Sequence, residues 1–118
     1  MKYPLGSGEQ QVDIADVEAV VQRLQSYSGV QGVLISNTDG IPIRTSTFGE
    51  SEANRYGNSS ARLIHHAESY LKDVFANEEI AVIRIRGKEA EIVIAPATIE
   101  RESHVTLSVI QKLNKKNA

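Results

Sequence analysis

IAVIRIRGKEAEIVIA, Ile80 to Ala95, decides the reading of this chain. Ile83 and Ile85 alternate with Val82, Arg84 and Arg86; beyond Gly87-Lys88, Ala90, Ile92 and Ile94 alternate with Glu91, Val93 and Ala95. Period-two alternation rich in β-branched residues marks strands with one face on a core. The stretch therefore predicts two antiparallel strands, with Gly87 supplying the positive φ of a tight turn. Arg84, Arg86 and Glu91 fall on the wetter face, where opposite charges pair across strands. A two-stranded hairpin is marginal alone, so the other segments must extend and cover it.

Working outward, Pro96 ends the second of these strands and 97–103 is a polar loop. His104 to Gln111 alternates again and gives a third strand of a meander. On the N-terminal side, Ala53, Tyr56, Ser60, Leu63, Ala67, Leu71 and Val74 recur every three or four positions and predict a helix from about Ser51 to Phe75. Its small residues, Gly57, Ser60, Ala61 and Ala67, would admit another helix closely. Val30 to Ser36 reads as a strand whose consecutive Val33-Leu34-Ile35 implies cover on both faces. Asn37-Thr38-Asp39-Gly40 turns the chain, and Ile41 to Ser46 returns as an edge strand, because Pro42 cannot donate to a ladder. Asp13 to Tyr27 carries an apolar stripe of Ile14, Val17, Val20, Val21 and Leu24, with Asp13 as N-cap and Gly29 as stop. The order is α-β-β-α-β-β-β, an α+β (α/β) domain over 13–111. Joining the last strand to the first gives a five-stranded antiparallel sheet of order 2-1-5-4-3, with flanking helices. Residues 1–12 read as a flexible arm and 112–118 as a basic tail.

A chain of 118 residues is one domain, and 41% hydrophobic residues suffice for a core. The net charge of −2, with signs interspersed, argues against a nucleic-acid binder. Without cysteine there is no disulfide framework or thiolate metal site. No apolar run reaches the length of a membrane span, and Met1 to Gln11 lacks the apolar core of a signal peptide, so neither membrane insertion nor export is expected.

Candidate chemistry is sparse. His65 and His66 are adjacent on a helix and diverge, whereas a shared metal wants i, i+4 spacing. Asn58-Ser59-Ser60 matches a glycosylation sequon but sits inside a predicted helix. Gly6-Ser7-Gly8 is too short to cradle a phosphate, and no nucleophile elbow is present. No catalytic residue, cofactor or metal is expected. The strand from Ile80 to Arg86 lies at the other edge of the sheet, without proline and largely apolar. An open edge of this kind is paired or covered in native proteins, and a self-complementary two-fold contact does so with no second gene product. The expectation is a homodimer with one continuous sheet.

Three stretches in order, GVQGVLISNTDGIPIRT (Gly29 to Thr45), IRIRGKEAEIVIAP (Ile83 to Pro96) and LSVIQ (Leu107 to Gln111), resemble the roadblock/LC7 family of dynein light chains, whose fold is longin/profilin-like. Tyr56 and Asp73 also match the family's pattern. The polar Asn58-Ser59-Ser60 and a longer N-terminal arm depart from it. The resemblance implies a non-catalytic subunit that dimerises through the third strand and second helix. Tyr56, Leu63, His66, Ala67, Ile80, Val82, Arg84 and Arg86 are then its interface residues. It further implies a dynein intermediate chain as partner, an isoform as alternative dimer mate, motor assembly and cargo attachment on microtubules, and a cytoplasmic, cytoskeletal or ciliary location. The alternative it implies is a regulator or scaffold of a small GTPase, a role that other roadblock-fold proteins play.

Overall fold

The computed structural model describes residues 12–113. Its elements are β1 (Val12–Ile14), α1 (Val17–Gln25), β2 (Val30–Asn37), β3 (Pro42–Thr45), α2 (Glu50–Val74), β4 (Ile83–Arg86), β5 (Ala90–Ile99) and β6 (Ser103–Lys112). Neighbouring strands run β3-β2-β6-β5-β4, all antiparallel, which is the predicted order. The addition is β1. It pairs parallel to β5, with Val12 opposite Ala97 and Ile14 opposite Ile99, so β4 and β1 divide the outer edge of β5 between them.

Several boundaries differ from the sequence reading. Helix α1 starts later, because Asp16 rather than Asp13 caps it, its Oδ1 accepting from the Ala19 N–H at 3.1 Å. Asp13 instead anchors β1: its Oδ1 accepts from Thr98 Oγ1 at 2.8 Å and from the Arg101 N–H at 2.6 Å. The latter bond steadies a turn in which Glu100 and Arg101 both take positive φ. Strand β5 runs through Pro96 to Ile99 rather than stopping there. Partners on its outer edge end at Ile94 with β4 and resume at Ala97 with β1, so the missing N–H of Pro96 falls in the gap and costs no ladder bond. Strand β4 is shorter than expected, and Ile80 and Val82 precede it. Gly87 does not take positive φ; the chain turns over Gly87, Lys88 and Glu89, with the Gly87 N–H donating to the Ala90 carbonyl at 2.8 Å. Helix α2 begins at Glu50, one residue before the expected start, with Gly49 in the N-cap position. The predicted arm and tail lie outside the described residues, except for Val12 in β1, Lys112 in β6 and Leu113 just after it.

The helices cover opposite faces. On one face, Val21 of α1 packs with Ile14, Val33, Ile35, Ala97 and Val105, flanked by Val17, Val20, Leu24 and Leu107. On the other face, α2 rests on Leu34, Ser36, Ile94, Thr106 and Ser108, and its buried residues are all small: Ala53, Gly57 and Ser60. Val33, Leu34 and Ile35 are wholly buried, as their consecutive placement implies. Gly57 lets the helix backbone sit on the β2–β3 turn. A Cβ there would lie inside contact distance of the Gly40 carbonyl oxygen and 3.2 Å from its carbon. Gly40 holds that turn at φ +91°. Gly57 and Ser60 thus serve the sheet and turn beneath α2, while Ala61 and Ala67 are half-buried. Ser60 Oγ accepts from Ser108 Oγ at 3.2 Å in the same buried layer.

Candidate functional site

Strand β4 owes its place to β5 alone. Ile83 pairs with Ile94, Arg84 with Val93, Ile85 with Ile92 and Arg86 with Glu91. Its other edge meets no strand among the described residues. Backbone donors and acceptors on such an edge are a template for another strand. The side chains around it are apolar and open to solvent: Val82 is 56% exposed and Ile85 46%. Ile85 lies on the face that carries α2, and α2 ends in exposed Tyr70, Val74 and Phe75. Val12, Tyr27, Ile41 and Ile43 are exposed as well, and Ile43 lies on the other edge strand, β3, but that strand carries Pro42, which blunts pairing, whereas β4 has no proline.

On the opposite face, alternation brings Arg84, Arg86 and Glu91 together as predicted, but the face is not wet at Glu91. That side chain is only 2% exposed. Its Oε1 accepts from Gln111 Nε2 at 2.7 Å, and its Oε2 lies 3.0 Å from Arg84 Nε and 3.4 Å from Arg86 Nε. Burial pushes the Glu91 carboxyl up, but the Gln111 bond and the two guanidiniums outweigh it and hold the group below its ordinary value. Both arginines remain largely exposed beyond Nε. The carboxylate therefore pairs electrostatically with two guanidiniums along the edge strand. A one-dimensional pattern could disclose the pairing but not the burial, because the cover comes from Gln111 on a strand twenty residues away.

The predicted interface residues do not all gather here. Val82, Arg84 and Arg86 line the open edge, and Ile80 sits half-buried in the segment leading into it. Leu63 and Ala67 are half-buried along α2, and His66 is exposed. Tyr56 is elsewhere. It stacks edge-to-face on Phe48, with centroids 4.9 Å apart, and the Phe48 ring fills the space above Gly32 of β2. That places Tyr56 over the β2 side of the sheet, three strands from β4. Tyr70, Val74 and Phe75 were missed as surface residues; the helical stripe assigned Val74 to the sheet, but α2 outruns the sheet it covers.

Two cavities lie away from this edge. One of about 270 Å³ opens between α2 and the sheet, lined by His65, Glu68 and His104 among others. No cluster of three or more His, Asp or Glu among the described residues is placed to hold a metal ion. The His65 and His66 rings stand 6.1 Å apart at 66°, as diverging neighbours should. A second, of about 320 Å³, lies between α1 and β3. Arg44 bridges it with two bonds to the Glu18 carboxylate, Nε to Oε2 at 2.8 Å and a terminal nitrogen to Oε1 at 2.6 Å. The bond from Arg44, with its charge, holds the Glu18 carboxyl below its ordinary value despite some desolvation. Ser46 and Gln25 join by a short hydrogen bond beside it, so this groove is an internal tie between helix and edge strand.

Residues 16–109 match the family described as the Roadblock/LC7 domain. The chain belongs to this family. Solved structures with the same fold include a roadblock/LC7 domain from Streptomyces avermitilis, at TM-score 0.69 and 12% identity over 83% of this chain and 79% of that one. Myxococcus xanthus MglB matches at TM-score 0.64 and 18% identity, over 80% of this roadblock/LC7 chain and 73% of its own. The gliding protein MglB from Thermus thermophilus matches at TM-score 0.66 and 11% identity, over 88% and 80%. Identities this low establish the common fold and nothing finer.

Proposed function

We propose that this roadblock/LC7 protein is a non-catalytic, self-associating platform that regulates or scaffolds a small GTPase in the cytoplasm. The observation that carries the reading is the unpaired outer edge of β4 beside exposed Val82 and Ile85. Two copies meeting along that edge continue one sheet across a two-fold axis and cover each other's apolar side chains. A tetrameric arrangement of MglB is among the related structures, at TM-score 0.65. The composite surface then offers a partner a broader apolar face than one copy has. Of the two roles that the family resemblance implies, the GTPase role is favoured here, because the named neighbours are a bacterial roadblock/LC7 domain and MglB gliding proteins rather than motor subunits.

The test has two arms. Sedimentation equilibrium of the full chain is expected to give a dimer, and Ile85→Asp, which sets a charge on the pairing strand, a monomer that stays folded. Purification from the native cell with GDP or a non-hydrolysable GTP analogue is expected to capture a small GTPase in one nucleotide state. Capture of a dynein intermediate chain in its place would restore the motor light-chain reading.

A further inference from the structure

Arg84 and Arg86 stand two positions apart on β4, so they project from one face of the sheet, the face away from α2. Among the described residues their ion pairs go to a single carboxylate, that of Glu91, 3.0 Å from one Nε and 3.4 Å from the other. One negative charge thus serves two positive ones. Gln111, which donates to the other carboxylate oxygen, adds no charge. The arginine side chains are 64% and 63% exposed, so the surplus positive charge stands in solvent beside the open edge. Two antiparallel copies continue one sheet only about a two-fold axis perpendicular to it, and each face of one copy then runs on into the same face of the other. Arg84 and Arg86 of both copies meet on that face, opposite or diagonal to one another. Opposite Cβ atoms are about 4.5–5.5 Å apart, and like charges so placed oppose the pairing. Four guanidiniums against two Glu91 carboxylates leave positive charge in excess at the axis, while the strand edge and the apolar side chains on the other face favour contact. A multivalent oxyanion at the axis resolves the conflict. Guanidinium forks offer paired N–H donors in the geometry that phosphate oxygens accept.

We infer that the two-fold contact assembles a binding site for a phosphate-class oxyanion from Arg84 and Arg86 of both copies. The inference rests on self-association through β4 and names a ligand for that contact. One copy supplies only half of the site, so anion binding and dimerisation promote each other. Sodium chloride relieves the repulsion by general screening alone, whereas a multivalent oxyanion bridges the copies at far lower concentration.

The test is sedimentation equilibrium of the full chain in sodium chloride, sodium phosphate and sodium pyrophosphate, at one pH and matched ionic strength. The self-dissociation constant should fall on the order of tenfold from chloride to pyrophosphate, with phosphate between them. GDP in a fourth run tells a nucleotide-borne diphosphate from the free anion, and a response to either supports the site. Arg84→Gln leaves Arg86 to pair with Glu91, so the charges balance across the axis. This variant should dimerise as well in chloride as in pyrophosphate, with circular dichroism checking its fold; if it does not fold, the wild-type comparison decides alone. Wild-type dimers equally tight in all four solutions overturn the anion site and leave self-association through β4 standing. A response that persists in folded Arg84→Gln overturns it too, by placing the anion elsewhere. A wild-type chain that stays monomeric in every solution overturns both.

Discussion

Replacing Gly57 by alanine tests how α2 is seated. In an isolated helix this change is favourable by ~0.8–1.0 kcal/mol, since glycine is the poorer helix former. Here the new methyl points at the Gly40 carbonyl, with its carbon 3.2 Å away and its oxygen nearer still. The oxygen lies about 1 Å inside ordinary contact distance, so helix or turn must retreat by that much. Neither yields easily. Gly40 sits at φ +91°, and the turn is closed by bonds from its own N–H to the Asn37 carbonyl at 3.0 Å and from the Asn37 N–H to the Ile41 carbonyl at 2.8 Å. Overpacking against backbone costs about 1–3 kcal/mol, and the upper part of that range applies when the obstacle cannot rotate away. After the propensity gain, the net destabilisation should be about 1–2 kcal/mol, or roughly 5–10 °C in Tm for a domain of this size. Ser59→Ala, exposed on the same helix, is the control and should be neutral or slightly stabilising. Chemical denaturation monitored by circular dichroism measures both. If Gly57→Ala melts at or above wild type while Ser59→Ala behaves as stated, the close approach of α2 to the turn is refuted.

Three further outcomes follow from the same geometry. Glu91→Gln removes the counter-charge of Arg84 and Arg86; because the native carboxyl is held below its unfolded value, its contribution is present above the ordinary carboxylate range and lost as pH falls through the native pKa. The Tm deficit of the variant should therefore be largest at neutral pH and shrink in acid, and a deficit constant across the titration would count against the ion cluster. Phe48→Ala uncovers Gly32 and strips the edge-to-face partner from Tyr56, and since Phe48 is half-buried it should cost about 2 kcal/mol in urea unfolding, near half the value for a fully buried ring. A self-associating chain gains stability by mass action, ~2.7 kcal/mol at a hundredfold excess over the dissociation constant, so Tm should climb with protein concentration for wild type and stay flat for Ile85→Asp.

The sheet order was legible because local chemistry and pattern agreed. Asn37 to Gly40 and the turn at Gly87 each joined two strand-like runs, and Pro42 marked an edge, so the five antiparallel strands had few other arrangements open to them. β1 was not legible. Three residues, Val12, Asp13 and Ile14, are too few to show a period, and Ile14 fits the helical stripe of α1 equally well by spacing. Its strand state is set by distant groups, the β5 edge and the Thr98 and Arg101 donors that claim Asp13. Pro96 was misread for a related reason. A proline forbids a donor on one side of a strand, and sequence does not tell whether that side faces a ladder or a gap between two partners. The exposure of Val82, Arg84 and Arg86 beside the open edge was legible from alternation. The exposure of Val74 was not, because a helical stripe reports which residues share a side and not where along the helix the sheet beneath it ends.

The two helices of this domain cover their faces of the sheet unequally. The nine residues of α1 seal their face of the sheet with Val21 and its flanking apolar neighbours. The twenty-five residues of α2 bury fully only an alanine, a glycine and a serine. At ~25 cal/mol per Å² of apolar area, side chains that small stabilise little, and the larger ones on α2 are half-buried or exposed. A helix this long could have carried leucines against Leu34 and Ile94. The sheet instead offers Ser36, Thr106 and Ser108 beneath it, and close backbone approach at Gly57 replaces side-chain interdigitation. The seat fixes where α2 lies while spending few of its apolar side chains, so Tyr70, Val74 and Phe75 stay exposed near the end of the helix that leads to β4. A small domain has little stability to spare, and leaving such groups in water is worthwhile only if another surface covers them in the working state. The pairing along β4 proposed above would supply such a surface for Val82 and Ile85 beside the open edge.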